Sequence, residues 1–144
     1  MPISRSRRCS ASAWGSAVRI TYRCQTGSLF GATAAALYAE ALEGVGDVDL
    51  PPVAANSDPV WHLYVIRTAD PQALALHLRD REIGTGFHYP EPAHLSKAYR
   101  SLGHPAGSFP VAEEAAGRVL SLPMFPGITE SQIEAVVEGV RSYF

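Results

Sequence analysis

The sequence predicts a small α+β domain in which helices cover a short sheet. Two observations predict it. From residue 32 onward, segments with strand composition alternate with segments of helical periodicity, and prolines stand at several strand ends. The chain has 144 residues, of which 47% are hydrophobic and 18% charged, so it can bury one core without disulfide or metal support.

Charge and cysteine content exclude several classes of function. The formal net charge of −2 offers no basic surface for nucleic acid or an anionic membrane. No apolar run approaches the roughly 18 to 20 residues of a membrane span. Cys9 and Cys24 fit no C-x-x-C spacing, so neither a zinc site nor a disulfide framework is expected. A reducing compartment, the cytoplasm, is the expected location.

Residues 1–31 differ from the rest of the chain. They contain no acidic residue, since Glu40 is the first, and they show no sustained period. Ser, Gly and Arg interrupt every apolar stretch, which disfavours a secretory signal, and a transit peptide fits the Arg/Ser-rich composition slightly better. We expect residues 1–31 to be an unpatterned leader, non-native or disordered, and residues 32–144 to be the folded domain.

The first half of the domain is predicted as helix, edge, strand and helix. Residues 32–43 are rich in Ala and Leu, and Gly44 is placed to end a helix there. Residues 49–53 (DLPPV) indicate an extended edge. Residues 61–68 (WHLYVIRT) predict a central strand with both faces covered. Asp70 and Pro71 then begin a helix that reaches about Arg81.

The second half is predicted from similar local signals. Residues 85–88 indicate a short strand, residues 94–102 a short helix ended by Gly103, residues 110–119 another helix, and residues 120–123 a strand. The last helix has a capping box, Thr129 with Gln132, and a hydrophobic staple, Ile128 with Ile133. Its apolar stripe consists of Ile133, Val136, Val137 and Val140.

The segment at residues 83–94 (IGTGFHYPEPAH) is the strongest candidate for a functional loop. It contains two glycines, two prolines, two histidines and two aromatic residues, which suit a sharply turning backbone that presents polar groups. The spacing of His88, His94 and His104 matches no standard metal site, and neither cysteine nor paired carboxylates join them. Arg67 could meet an anionic substrate group, although a salt bridge to a nearby carboxylate is favoured.

Several motifs in fixed order carry a family resemblance. The strings are WHLYVIR at residues 61–67, GTGFHYPEPAH at 84–94, Tyr99, Leu102-Gly103, Phe109-Pro110-x-Ala112-Glu113 and LSLPMFPGIT at 120–129. Together they resemble the C-terminal part of the DegT/DnrJ/StrS family of pyridoxal-phosphate-dependent sugar aminotransferases. The resemblance runs from about residue 32 to residue 144.

The resemblance implies the small C-terminal domain of the aspartate-aminotransferase (type I) fold. In that family a larger N-terminal domain holds pyridoxal phosphate and the Schiff-base lysine, and the complete enzyme is a homodimer that uses a nucleotide-linked keto sugar and an amino donor. Carried over residue by residue, the resemblance implies that His88 and Tyr89 bind substrate. It assigns no catalytic, cofactor-binding or metal-binding residue to this chain.

The departures from the family pattern matter as much as the matches. Residues 1–31 contain no Asn-x-Arg-Met segment, which family members contribute to the neighbouring subunit's active site. Glu82 stands where the family commonly has glycine, which costs on the order of 1 kcal/mol if the position is left-handed. Lys97 is the only lysine, and its context (LSKAYRSLG) is that of a surface residue. No covalently bound pyridoxal phosphate, and no activity of the chain alone, is therefore expected.

Three hypotheses remain open. The chain is a fragment of a sugar aminotransferase, an enzyme half completed by another polypeptide, or a free-standing binding or interaction module. The Arg-, Ser-, Ala- and Cys-rich leader resembles the product of a reading-frame change in GC-rich coding sequence, which favours the fragment. A fragment leaves its partner surface bare, so we expect an exposed apolar or aromatic patch beside the loop, involving Phe87, Tyr89 or the run Met124-Phe125-Pro126.

Overall fold

The computed structural model describes residues 28–144, with side chains from residue 31 onward. The predicted leader therefore lies almost entirely outside the described residues. The order is α1 (Ser28–Leu42), β1 (Tyr64–Arg67), α2 (Pro71–Arg79), two 3-10 turns (Ala93–Leu95 and Arg100–Leu102), α3 (Pro110–Arg118), β2 (Val119–Leu122) and α4 (Glu130–Arg141). The predicted α+β class is confirmed. Helix α1 begins at Ser28, four residues before its predicted start.

The sheet is built on one antiparallel pair. Tyr64 of β1 lies opposite Leu122 of β2, and the pairing runs on to Arg67 opposite Val119. Isolated β-bridges add one further segment beside each strand. Asp49 pairs with Arg67 of β1, and Gly86 pairs with Ser121 of β2. Strand β1 thus lies between β2 and the Asp49 segment, as predicted for a central strand.

Strand β1 is shorter than predicted. Trp61 has a φ of 53°, a left-handed conformation that cannot continue a strand, and regular pairing starts only at Tyr64. Tyr64 and Ile66 are buried, whereas Val65 on the other face is half-buried. The expectation that both faces are covered therefore holds only in part.

The core lies where α1, α2 and α4 pack on the buried face of the sheet. Asp70 caps α2 by accepting a hydrogen bond from the Ala73 amide at 2.9 Å. Both bonds of the predicted Thr129–Gln132 capping box are present at the start of α4. The predicted staple and stripe residues are all buried: Ile128, Ile133, Val136, Val137 and Val140. These local signals were sufficient because α2 and α4 also bury an apolar face.

Two predicted elements are wrong. Residues 85–88 form a single bridge at Gly86 rather than a strand. Residues 94–102 form two 3-10 turns rather than one helix, and neither turn has a buried residue. No residue of either turn packs into the core, so packing adds nothing to the weak helical preference of so short a segment. Gly103 does end the second turn, with a φ of 72°.

Within residues 28–144, no helix is long and apolar enough to cross a lipid bilayer.

Candidate functional site

The loop that follows Gly86 is fixed to the edge of β2 by backbone and side-chain bonds. The Ser121 amide donates to the Gly86 carbonyl at 2.7 Å, and the Gly86 amide donates to the Ser121 carbonyl at 3.1 Å. Two residues later, Nδ1 of His88 lies 2.8 Å from Oγ of Ser121. One serine therefore holds both the backbone and the imidazole at the start of the loop.

The absence of a side chain at Gly86 is required by the position of His88. A Cβ atom at residue 86 would lie 2.8 Å from Cε1 and 3.4 Å from Nδ1 of His88. Real Cβ contacts essentially never reach the shorter distance, so any larger residue would displace the imidazole ring. Gly86 is thus the surface on which the ring lies.

His88 and Tyr89 are both presented to the outside. Tyr89 is 74% exposed, and its ring meets that of His88 edge-on with centroids 5.7 Å apart. The peptide bond between the two residues is cis. Both residues that the resemblance assigns to substrate binding are exposed.

A second cluster ties the far end of the loop to α3. Nε2 of His94 lies 3.0 Å from Oε1 of Glu113. Glu113 also accepts hydrogen bonds from the amides of Gly107 at 2.9 Å and Phe109 at 3.2 Å. These amide bonds, above all that from Gly107, lower the pKa of the Glu113 carboxyl, and His94 contributes to the same effect.

The sequence analysis did not predict this cluster around Glu113. The signal for the role of Glu113 is its position as an acidic residue in the first turn of a helix that begins with Pro110. His94 and His104 both pack edge-on against Phe109, at 4.8 and 5.2 Å, while His88 pairs with Ser121. Within residues 28–144 no group of three His, Cys, Asp or Glu side chains is arranged to hold a metal ion.

Arg67 and Lys97 are surface residues. Arg67 lies 4.0 Å from Asp49, which also pairs with Arg118 at 3.5 Å, so the favoured salt bridge is present. Lys97 is exposed on the turn between the two 3-10 turns. A Schiff-base lysine has to lie in a site enclosed around the cofactor, so the only lysine of this chain does not fit pyridoxal phosphate.

Two of the residues named for the predicted aromatic patch are exposed. Tyr89 and Phe125 are exposed, at 74% and 47%, whereas Phe87 is half-buried against the core. Of the alternatives named for that patch, Phe87 is therefore not among the exposed residues. Four further large apolar residues that follow the loop in the chain are exposed, three of them before α3 and the fourth within it: Tyr99, Leu102, Phe109 and Val111.

Comparison with solved structures defines the class of the fold. The structure of DesV from Streptomyces venezuelae, in complex with a ketimine intermediate, matches with a TM-score of 0.78 and 41% identity. A DegT/DnrJ/EryC1/StrS aminotransferase from Brucella abortus matches with a TM-score of 0.73 and 29% identity. Each match covers 81% of this chain and 31% of the other. The fold is that of one part of a sugar aminotransferase.

The chain belongs to the DegT/DnrJ/EryC1/StrS aminotransferase family, whose model matches residues 31–141. It is 44% identical over 109 residues to a dTDP-3-amino-3,4,6-trideoxy-alpha-D-glucose transaminase of Streptomyces venezuelae. It is 42% identical over 110 residues to the erythromycin biosynthesis sensory transduction protein EryC1 of Saccharopolyspora erythraea. Both matches cover 76% of this chain but only 29% and 30% of the relatives, so the chain spans about 30% of their length.

Proposed function

We propose that this chain is the substrate-facing small domain of a pyridoxal-phosphate-dependent aminotransferase that acts on nucleotide-linked keto sugars. His88 and Tyr89 contact the substrate, and the cofactor is held elsewhere. The observation that carries the proposal is the outward-facing His88–Tyr89 pair at the edge of β2, in a chain of this family. Several relatives are named as transaminases of dTDP- or UDP-linked sugars, which supports the substrate class.

The chain has no activity of its own in this account. A transaminase needs a lysine amine beside its cofactor, and the only lysine, Lys97, lies on an exposed turn. The role of this domain is therefore to bind and orient the sugar nucleotide, while a larger domain supplies the cofactor chemistry. A homodimer, an amino donor and a cytoplasmic location belong to the same proposal for the complete enzyme.

Two other functions were open from the sequence, a free-standing module and an enzyme half completed by another chain. Tyr89 in the loop and Phe125 after β2 are both exposed, and exposed aromatic surface is typical of a site that packs against further protein. This exposure favours a chain that packs against further protein. The fragment and the enzyme half both assign the same role to His88 and Tyr89.

A domain exchange tests the proposed role. Residues 31–141 replace the matching segment of the Streptomyces venezuelae transaminase, and steady-state kinetics are measured with its sugar nucleotide. We expect an active chimera in which His88→Ala and Tyr89→Phe each raise KM about tenfold, the effect of losing one charge-assisted hydrogen bond. His62→Ala and Tyr99→Phe are matched controls, because both residues are exposed and lie outside the loop.

Two results would overturn the proposal. One is an active chimera in which both loop variants behave like the controls. The other is a folded chimera that holds cofactor but does not turn over the sugar nucleotide.

A further inference from the structure

The hydroxyl of Ser121 has one partner in the described part of the chain. Ser121 is 3% exposed, and its backbone amide and carbonyl are both bonded to Gly86. Its Oγ contacts only Nδ1 of His88, at 2.8 Å. The remaining ring nitrogen of His88, Nε2, has no hydrogen-bond partner within residues 28–144.

This arrangement determines where the proton of the imidazole lies. A neutral imidazole carries its proton on one nitrogen and accepts at the other. If Nδ1 carried the proton and donated it to Ser121, the buried serine hydroxyl would have no acceptor for its own proton, which is costly. If the serine donates to Nδ1, both groups of this contact are satisfied and the proton of the imidazole lies on Nε2.

We infer that Ser121 is a positioning residue that holds His88 in its Nε2–H tautomer, with Gly86 as the surface that supports the ring. His88 then offers a hydrogen-bond donor to the outside, and its ligand contributes an oxygen acceptor, such as a phosphate or carbonyl oxygen. The inference rests on the proposed function for its ligand. The tautomer itself depends only on the contact between His88 and Ser121.

The tautomer can be measured on the full chain without any ligand. Long-range ¹H–¹⁵N correlation spectra at pH 8, above the ordinary histidine pKa of about 6.5, distinguish a protonated from an unprotonated ring nitrogen. The His88 signals are those missing from the His88→Gln variant. We expect an unprotonated Nδ1 and a protonated Nε2 in the unsubstituted chain.

Substitution of Ser121 gives the decisive comparison. In Ser121→Ala the ratio of Nε2–H to Nδ1–H tautomer should fall about fivefold, the ratio that a net hydrogen bond of ~1 kcal/mol maintains. Ser121→Thr keeps a hydroxyl on a strand-compatible residue and should restore the ratio. His62, which is exposed, provides an internal control whose signals stay unchanged.

Substitution of Gly86 tests whether this residue supports the imidazole ring of His88. Gly86→Ala should shift the His88 signals, because the added Cβ would lie 2.8 Å from Cε1. A His88 ring that is protonated at Nδ1 in the unsubstituted chain, or a ratio unaffected by Ser121→Ala, would overturn the inference. Since no sugar nucleotide is present, that failure is distinct from a failure of the domain exchange.

Discussion

Glu82 adopts a backbone conformation that its side chain disfavours. Its φ is 61°, in the left-handed region, just after α2. The Ile83 amide donates to the Leu78 carbonyl at 3.0 Å, so the turn is fixed by the end of the helix. A non-glycine residue in this conformation costs on the order of 1 kcal/mol. The condition stated in the sequence analysis, a left-handed backbone at Glu82, is therefore confirmed.

Replacement of Glu82 should therefore stabilise the chain. We expect Glu82→Gly to raise the free energy of unfolding by about 1 kcal/mol, because glycine adopts the left-handed conformation without steric cost. Urea denaturation measures the change. Glu82→Ala removes the carboxylate but keeps the disfavoured conformation, so it should give no such gain. Equal stabilisation by both variants would mean that the carboxylate of Glu82, and not its backbone conformation, destabilises the chain.

Two core tyrosines that pack together differ in whether the hydroxyl group has a hydrogen-bond partner. The rings of Tyr38 and Tyr64 are 5.0 Å apart and both residues are buried. The Tyr38 hydroxyl donates to the Pro123 carbonyl at 2.9 Å, whereas the Tyr64 hydroxyl has no partner in the described part of the chain. Burial raises the pKa of Tyr64 to about 12, so its hydroxyl stays neutral at physiological pH.

The pair gives a prediction with a built-in control. Tyr64→Phe should leave the free energy of unfolding unchanged or raise it by about 1 kcal/mol, since an unsatisfied buried hydroxyl is removed. Tyr38→Phe should lower it by about 1 kcal/mol, because the Pro123 carbonyl loses its donor. Thermal and urea denaturation compare the two. A Tyr64→Phe variant as destabilised as Tyr38→Phe would reveal a partner for the Tyr64 hydroxyl.

At the scale of elements, α4 depends on its first turn. The Thr129 hydroxyl accepts from the Gln132 amide at 3.3 Å, and the Gln132 side chain accepts from the Thr129 amide at 2.9 Å. We expect Thr129→Ala to lower the free energy of unfolding by about 1 kcal/mol, and Thr129→Ser to preserve it, because serine is an equally good cap. An unchanged Thr129→Ala variant would show that core packing alone holds the helix.

The loop between residues 104 and 109 is expected to depend on pH through Glu113. Its pKa is lowered in the folded chain, so its stabilising contribution is present above the ordinary carboxyl pKa of about 4.3 and is lost as pH falls through the lowered value. Amide exchange at Gly107 and Phe109, followed between pH 7 and 3, should accelerate relative to the rest of the chain at the acid end.

A neighbouring glutamate provides the control for this element. Glu113→Gln should weaken protection of Gly107 and Phe109 already at pH 7. Glu114→Gln should not, because within residues 28–144 the side chain of Glu114 pairs with Arg118 and with neither amide. If both variants leave the two amides as protected as before, Glu113 does not hold the loop.

The elements also show what a sequence can predict. The caps at Asp70 and Thr129 and the stripe of α4 are encoded by neighbours in the chain, and all were predicted. The contact between His88 and Ser121 joins residues 33 positions apart, and it becomes visible only when Gly86 pairs with β2. The helix predicted at residues 94–102 is absent, and two 3-10 turns without buried residues stand in its place. A local sequence pattern does not show whether a segment will pack against the core.

For the whole molecule, the central claim concerns the cofactor. The chain belongs to an aminotransferase family and spans about 30% of the length of its relatives, yet its one lysine is exposed. In our account that lysine takes no part in cofactor binding, and the chain contributes a substrate-facing loop to a site completed by further protein.

The most direct test is borohydride trapping of pyridoxal phosphate on the full chain. The chain is incubated with increasing cofactor, reduced, and mapped by peptide mass spectrometry, with Lys97→Arg as the control. We expect no saturable labelling of Lys97 and no absorbance band near ~420 nm, where protonated aldimines absorb. Stoichiometric, saturable labelling of Lys97 with such a band would contradict the claim, because the chain would then hold its own cofactor.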